Sequence, residues 1–221
     1  MYQLDFSVVI ERFPELLVGA AATLGLASSG IVLALLIGIV GAAMRQSRHL
    51  LPRLVVRAFV ELIRNTPFLV QIFFLFFALP FAGVRLSPTA TAIIALGING
   101  GAYSIEIIRG GIEAINRGQT EAGLSLGLSR LDVFRFIVLR PALRAIYPAL
   151  TSQFILLTLT SSVCASISAY ELTSVAQKVE SDTFRSFEVY FTITAIYLAL
   201  SWLLMALFGI VGRRAFAYPT A

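Results

Sequence analysis

Charge is scarce in this sequence: 13% of its 221 residues are Asp, Glu, Lys or Arg, about half the share usual in a soluble domain. One histidine and one cysteine leave little raw material for a metal centre, none for an internal disulfide, and a poor basis for imidazole chemistry. An enzyme reading therefore starts without its usual side chains. The formal charge of +5 does not point to nucleic acid, because the arginines stand between long apolar runs, as in loops facing anionic lipid. No basic cluster opens the chain, and Asp5, Glu11 and Glu15 precede the first apolar run. That is not the pattern of a cleaved signal peptide, so the first run is expected to stay in the mature protein.

What is abundant is apolar surface: 58% of residues are hydrophobic and the mean hydropathy is +0.87. An ionised side chain at a bilayer centre costs about 2.5 to 3.5 kcal/mol on insertion scales, so charge-free intervals mark candidate crossings. Five occur, at residues 16–44, 65–84, 86–105, 145–170 and 189–212. Each is long enough as a helix to cross about 30 Å of hydrocarbon. The expected architecture is an all-α integral membrane protein with about five spans, near 18–44, 66–84, 88–108, 146–168 and 189–212. Gly83, Ser87 and Pro88 around Arg85 predict a tight hairpin between the second and third.

Orientation follows from the basic residues. One side collects thirteen, from Arg45 through Arg64, Arg109 through Arg144, and Arg213 with Arg214; the other holds Arg12, Arg85, Lys178 and Arg185. Basic loops are retained in the cytoplasm, so the N-terminus is expected outside and the C-terminus inside. This makes 1–18 an extracytoplasmic segment, 19–212 the membrane domain and 213–221 a cytoplasmic tail.

Between the third and fourth spans, residues 107–144 are too polar to cross and too rich in helix formers to be a linker. Leu124, Leu128 and Leu131 recur at helical spacing and predict one apolar stripe. Gly123 and Gly127 beside it predict a closely approaching partner backbone, since each interior glycine costs about 1 kcal/mol relative to alanine. On the outer side, Leu172, Val175, Ala176 and Val179 predict a short amphipathic helix.

The stretch GQTEAGLSLGLSRLDVFRFIVLRPALRAIYPAL, from Gly118 to Leu150, resembles the cytoplasmic signature loop of type I ATP-binding-cassette (ABC) importer permeases. Glu121, Ala122, Gly123, Gly127, Ile137, Leu139 and Pro141 fill that loop's positions. Further elements resemble the polar amino-acid branch: Arg64-Asn65-Thr66-Pro67 with Leu69-Val70-Gln71, Ala102-Tyr103, Glu106, Arg109-Gly110-Gly111-Ile112, Gly118-Gln119, and Glu171-Leu172. The fourth span departs from that branch: Leu159, Thr160, Ser161, Ser162 and Val163 stand where many relatives carry Lys-Asp-Thr-Ser-Leu. That departure weakens any direct grip on a charged substrate.

The resemblance implies a permease subunit of the bacterial inner membrane that moves an amino acid inward by alternating access. It also implies a cytoplasmic ABC ATPase dimer, a second permease copy and an extracytoplasmic amino-acid-binding protein as partners, besides membrane lipid. ATP and Mg are used by the ATPase, since the chain has no Gly-x-x-x-x-Gly-Lys-Ser/Thr sequence and no cofactor of its own is expected. Glu121, Ala122, Gly123, Leu124, Gly127 and Leu128 are the expected coupling residues by resemblance, with an amphipathic helix lying on headgroups as the alternative.

Polar groups inside the spans are candidates for a substrate pathway, because unsatisfied ones are costly in hydrocarbon. Gln71, Asn99, Tyr103, Thr158, Ser161 and Ser162 form this set, with Thr158, Ser161 and Ser162 expected on one face. Hydroxyls bonding back to their own helix and small residues packing helices together explain the same pattern. Gly100-Gly101 fits either a broken helix or a close helix contact. Glu106 is expected to pair with Arg109 three residues on, His49 to be solvated, and Cys164 to be a packing residue. Two other functions remain open from sequence: a secondary carrier driven by an ion gradient, and a membrane scaffold that only recruits a partner.

Overall fold

The computed structural model describes residues 4–217; residues 1–3 and 218–221, parts of the two expected extramembrane ends, lie outside the described residues. The described chain is built of helices: α1 (Ser7–Glu11), α2 (Phe13–Arg45), α3 (Leu50–Arg64), α4 (Phe68–Ala78) with a 3-10 turn (Leu79–Ala82), α5 (Pro88–Glu113), α6 (Arg117–Ser125), α7 (Arg130–Asp132) running into a π-helical turn (Val133–Val138), α8 (Leu139–Thr160) with a 3-10 turn (Ser161–Ile167), α9 (Leu172–Thr183) and α10 (Ser186–Ala215). Among the described residues, four stretches are long and apolar enough to cross a membrane, namely Phe13–Arg45, Pro88–Glu113, Arg130–Ile167 and Ser186–Ala215. A fifth arises if the pair α3 and α4 through Ala82, bent by 108°, counts as one.

The centre of the fold is the α2–α5 contact. Along α2 the buried residues Gly19, Thr23, Ala27, Gly30, Ala34, Gly38 and Gly41 recur every three or four positions, which puts small residues on one face. A lipid solvent provides no hydrophobic drive between helices, so close backbone approach and dense packing hold them instead. At Gly38 an added Cβ would stand 2.6 Å from the Ser104 Cβ, and at Gly41 it would run into the Ile105 Cδ1. Gly100 and Gly101 serve the same contact from α5, against Ala34 and Ile37, and Gly100 also meets Leu157 of α8. Helix α5 runs unbroken through them, so of the two readings of this glycine pair the close contact is the one found.

The hairpin after α4 forms as its residues predict. Gly83 ends the 3-10 turn at φ +82°, where a side chain would be strained. Ser87 then caps α5, accepting from the Ala90 N–H at 3.2 Å, with Pro88 in the first turn. Helix α9 buries Leu172, Val175, Ala176 and Val179, all four residues of the expected stripe. They pack with Leu16, Ala20, Val189 and Ile193, so this helix is a strut between α2 and α10. The N-terminal segment is tied to the same region: the Asp5 N–H donates to the buried Glu188 carboxylate at 2.9 Å.

Candidate functional site

The break between α3 and α4 follows from Pro67, which cannot donate into a helix and disfavours a helical residue before it. Breaking a helix inside a membrane protein frees carbonyls, and Gln71 meets them. Its Nε2 donates to the carbonyls of Ile63 at 2.7 Å and Thr66 at 3.0 Å, and to the Thr66 hydroxyl at 2.9 Å. Its Oε1 accepts from Asn99 Nδ2 at 3.0 Å, linking the elbow to the centre of α5. One turn along α5, the Tyr103 ring lies under the Arg64 guanidinium, 5.1 Å from centroid to Cζ. Val60, Glu61, Arg64, Asn65 and Tyr103 line a cleft of about 280 Å³ there. Gln71 and Asn99 are therefore brought together while Tyr103 lines a separate cleft with Arg64, and Gln71 has a definite task as the clasp of the elbow.

Replacing Gln71 by leucine leaves the Ile63 and Thr66 carbonyls and the Asn99 amide without these partners. Unsatisfied buried polar groups cost about 1–3 kcal/mol each, so Gln71→Leu is expected to lower stability by roughly 2–4 kcal/mol. Thermal denaturation of the detergent-solubilised protein measures this, and a change below about 1 kcal/mol would remove Gln71 from the role of clasp.

The expected hydroxyl face on α8 is arranged differently. Thr158 donates to the Phe154 carbonyl at 2.9 Å, Ser161 to Thr158 at 2.7 Å and Ser162 to Leu159 at 2.8 Å. The helix tightens to 3-10 winding at Ser161, so the spacing that would align all three with an α-helical face ends there. Thr158 and Ser161 are fully buried. Their hydroxyl protons are committed to their own backbone. Cys164, buried and free, sits in this turn as a packing residue.

At the far end of α5, Glu106 accepts from Arg109 Nε at 3.1 Å and Nη2 at 2.8 Å, the expected pair. The cluster is larger than the pair: Arg45 of α2 lies 3.5 Å from the other Glu106 oxygen, and Arg109 also bonds Glu113. His49, exposed, precedes α3.

The connection after α5 corrects the expectation of one continuous helix. Helix α6 spans Arg117–Ser125, capped by the Asn116 side chain on the Gly118 N–H. It contains Glu121, Ala122, Gly123 and Leu124 and ends before Gly127, whose φ of +81° is the left-handed conformation of a helix stop. The Leu128 N–H bonds back to the Gly123 carbonyl at 3.2 Å, and the Gly127 N–H to Leu124 at 3.0 Å. Leu124, Leu128 and Leu131 are thus not one helical stripe, and Gly127 is a terminator, not an interior packing position. Gly123 keeps the predicted role, but inside the chain: a Cβ there would stand 2.5 Å from Ile137 Cδ1 and 3.0 Å from Val133 Cγ2. The π-helical turn carrying those residues locks α6 onto the start of α8. What faces outward is a leucine knob, with Leu126 82% and Leu131 74% exposed.

Sequence reasoning gave Glu171 no physical role. It is fully buried, accepts from the Ser174 N–H at 2.7 Å and the Tyr197 hydroxyl at 2.8 Å, and lies 3.5 Å from the Thr23 hydroxyl. Thr23 in turn accepts from the Leu172 N–H at 3.0 Å. One carboxylate thereby joins α2, α9 and α10. The reciprocal Glu171–Ser174 capping box was the available signal, with Glu three residues before Ser at the start of an apolar stripe.

A bundle of long apolar helices built on small-residue contacts defines a polytopic membrane component. The chain belongs to the family of binding-protein-dependent transport system inner membrane components, which it matches over residues 30–217. It is 35% identical to the glutamine transport system permease protein of Escherichia coli (strain K12), over 96% of this chain and 98% of that one. It is 33% identical to the nopaline transport system permease protein of Agrobacterium fabrum, over 92% and 89% of the two chains. Among solved structures, the crystal structure of an amino acid ABC transporter with histidines superposes with a TM-score of 0.90 and 33% identity, covering 96% of this chain and 100% of that one. The inward-facing MetNI methionine ABC transporter shares the fold, with a TM-score of 0.73 at 18% identity. Membership in an importer permease family sets aside the ion-driven carrier and the non-transporting scaffold.

Proposed function

We propose that this chain is the permease subunit of an ABC importer for an amino acid, working by alternating access across the bacterial inner membrane. The observation that carries the reading is the near-complete structural match, at 33% identity, to an amino acid ABC transporter. In this reading the N-terminus lies outside, the C-terminus and the 107–144 connection lie inside, and residues 19–212 form the translocating domain. An ABC ATPase dimer supplies ATP and Mg chemistry from the cytoplasm, an extracytoplasmic binding protein delivers the amino acid, and a second permease copy completes the pathway.

The α6 segment is the docking element. Glu121, Ala122, Leu124 and Leu128 present its surface, Gly123 seats it on the π-helical turn, and Gly127 turns the chain so that the leucines project. Gln71, Asn99 and Tyr103 are the pathway candidates that this reading keeps, supported by the Gln71–Asn99 hydrogen bond and by the cleft that Tyr103 lines one turn along α5. Thr158, Ser161 and Ser162 support the pathway through packing.

Reconstituted with its ATPase and binding protein, the permease is expected to take up amino acid only with ATP. Uptake that continues without ATP and stops with an ionophore would overturn the reading. Leu126→Asp with Leu131→Asp is expected to reduce uptake by about tenfold or more at unchanged melting temperature, since both side chains are exposed and contribute little to the fold. Normal uptake by that double variant would remove α6 and its turn from the coupling role.

A further inference from the structure

Helix α3 has three faces, and the importer reading uses only its C-terminal end, where Val60, Glu61 and Arg64 line the Tyr103 cleft. At 3.6 residues per turn, Pro52, Val56, Phe59, Val60 and Ile63 share one strip; Val56 and Val60 are buried, packed with Ile105 of α5. A second strip carries Arg53, Arg57, Glu61 and Arg64, three cations against one anion. The third strip is apolar and uncovered: Leu51 73%, Leu54 50%, Val55 54% and Leu62 64% exposed. A water-soluble helix has no use for two apolar faces, and a transmembrane helix has no use for an arginine strip.

The bend supplies the geometry. Helix α4 is charge-free and carries the membrane crossing, and α3 meets it at 108°, so α3 runs near the plane of the bilayer. Beside α3 an open groove of about 520 Å³, lined by Leu36, Val40, Met44, Val55 and Phe59 among others, continues its outward apolar face onto α2.

We infer that α3 is an interfacial helix that binds anionic phospholipid, with its outward face among the acyl chains and the Arg53–Arg57 strip on the headgroups. This rests on the transmembrane reading above. The charge excess selects lipid of negative headgroup over a neutral one, since each arginine near an anionic surface contributes about 1 kcal/mol. The outward face and the groove together form a continuous apolar surface, which acyl chains fill without a matching shape.

The test uses the complete transporter in nanodiscs, with cysteine-free partners and a Cys164→Ala permease. A spin label at Leu54→Cys reports depth through relaxation by oxygen against a water-soluble nickel complex, and one at Phe74→Cys on α4 reports the crossing. Both labels are expected in the acyl region. In discs containing phosphatidylcholine and phosphatidylglycerol, native mass spectrometry is expected to find phosphatidylglycerol retained on the permease. Retention should fall about fivefold for each arginine lost in Arg53→Gln and Arg53→Gln/Arg57→Gln, the ratio that ~1 kcal/mol gives.

A position-54 label open to nickel while position 74 lies in lipid overturns the interfacial helix and leaves the transmembrane reading intact. Both labels open to nickel overturn both. Dipolar coupling between the position-54 labels of two permease copies assigns the face to the second copy and overturns the lipid assignment. Unchanged phosphatidylglycerol retention in the double variant also overturns the proposal.

Discussion

Glu171→Ala is expected to lower the melting temperature of the detergent-purified protein by roughly 10 °C, from a loss of about 3 kcal/mol. The substitution removes the acceptor for the Ser174 N–H and the Tyr197 hydroxyl, both held in a fully buried site. It also unties three helices at once, because the carboxylate, with Thr23, is where α9 meets α2 and α10. Glu171→Gln keeps an acceptor for the Ser174 N–H and is expected to retain most of the stability.

The glutamine variant also exposes a pH signature. Burial pushes the Glu171 carboxyl above its ordinary 4.5, outweighing the donors that favour the charged form. A raised folded-state value means the native protein holds this proton more tightly than the unfolded chain. The stabilising contribution is then complete below about pH 4.5 and is lost as pH rises through the folded-state value. Glutamine has no such proton, so the stability of wild type relative to Glu171→Gln is expected to decline as pH rises above the ordinary value of 4.5 and through the raised folded-state value. A difference that rises with pH would show the carboxylate to be stabilised as the anion.

The second large effect belongs to Gly100. A Cβ there would stand 2.9 Å from the Ala34 Cβ and 2.9 Å from Leu157 Cδ1, on α2 and α8 respectively. The clash with α2 cannot be cleared by rotating a side chain, because the Ala34 Cβ moves only with its backbone. Gly100→Val is therefore expected to cost about 3 kcal/mol or more through overpacking and to reduce the yield of folded protein severalfold. Gly25→Val is the control: it too sits within a long apolar helix, but nothing lies within 4 Å of its added Cβ. Equal melting temperatures for the two variants would refute close packing as the function of Gly100.

Most of the fold was legible because removing charge from water is so costly in hydrocarbon that charge-free runs can simply be counted. The helices that cross, the hairpin at Gly83 to Pro88 and the apolar stripe of α9 all follow from that cost or from simple periodicity. Helix α3 was not legible as a helix. The arginines from Arg45 to Arg64 read as a cytoplasmic connection, and a three-sided helix has no single apolar period. The break inside the 107–144 connection was hidden for the opposite reason: leucine spacing continues across Gly127, while the helical backbone does not. Among the pathway candidates, the pairing of Gln71 with Asn99 depends on the chain folding back across a separation of 28 positions, which no local pattern encodes. The burial of Glu171 was missed because a carboxylate at the end of a span was counted as an outside charge.

The elbow at Pro67 also sets a length. From Phe68 to Ala82 the crossing limb holds eleven α-helical and four 3-10 residues, a rise of about 24 Å at 1.5 and 2.0 Å per residue. The hydrocarbon layer is about 30 Å thick, so this limb is shorter than the film it crosses. The neighbouring helix α5, with 26 residues, rises about 39 Å. A crossing shorter than the film is met by local thinning of the bilayer, by snorkelling of flanking residues or by packing against another subunit. Mismatch of this kind has an energy that depends on acyl-chain length.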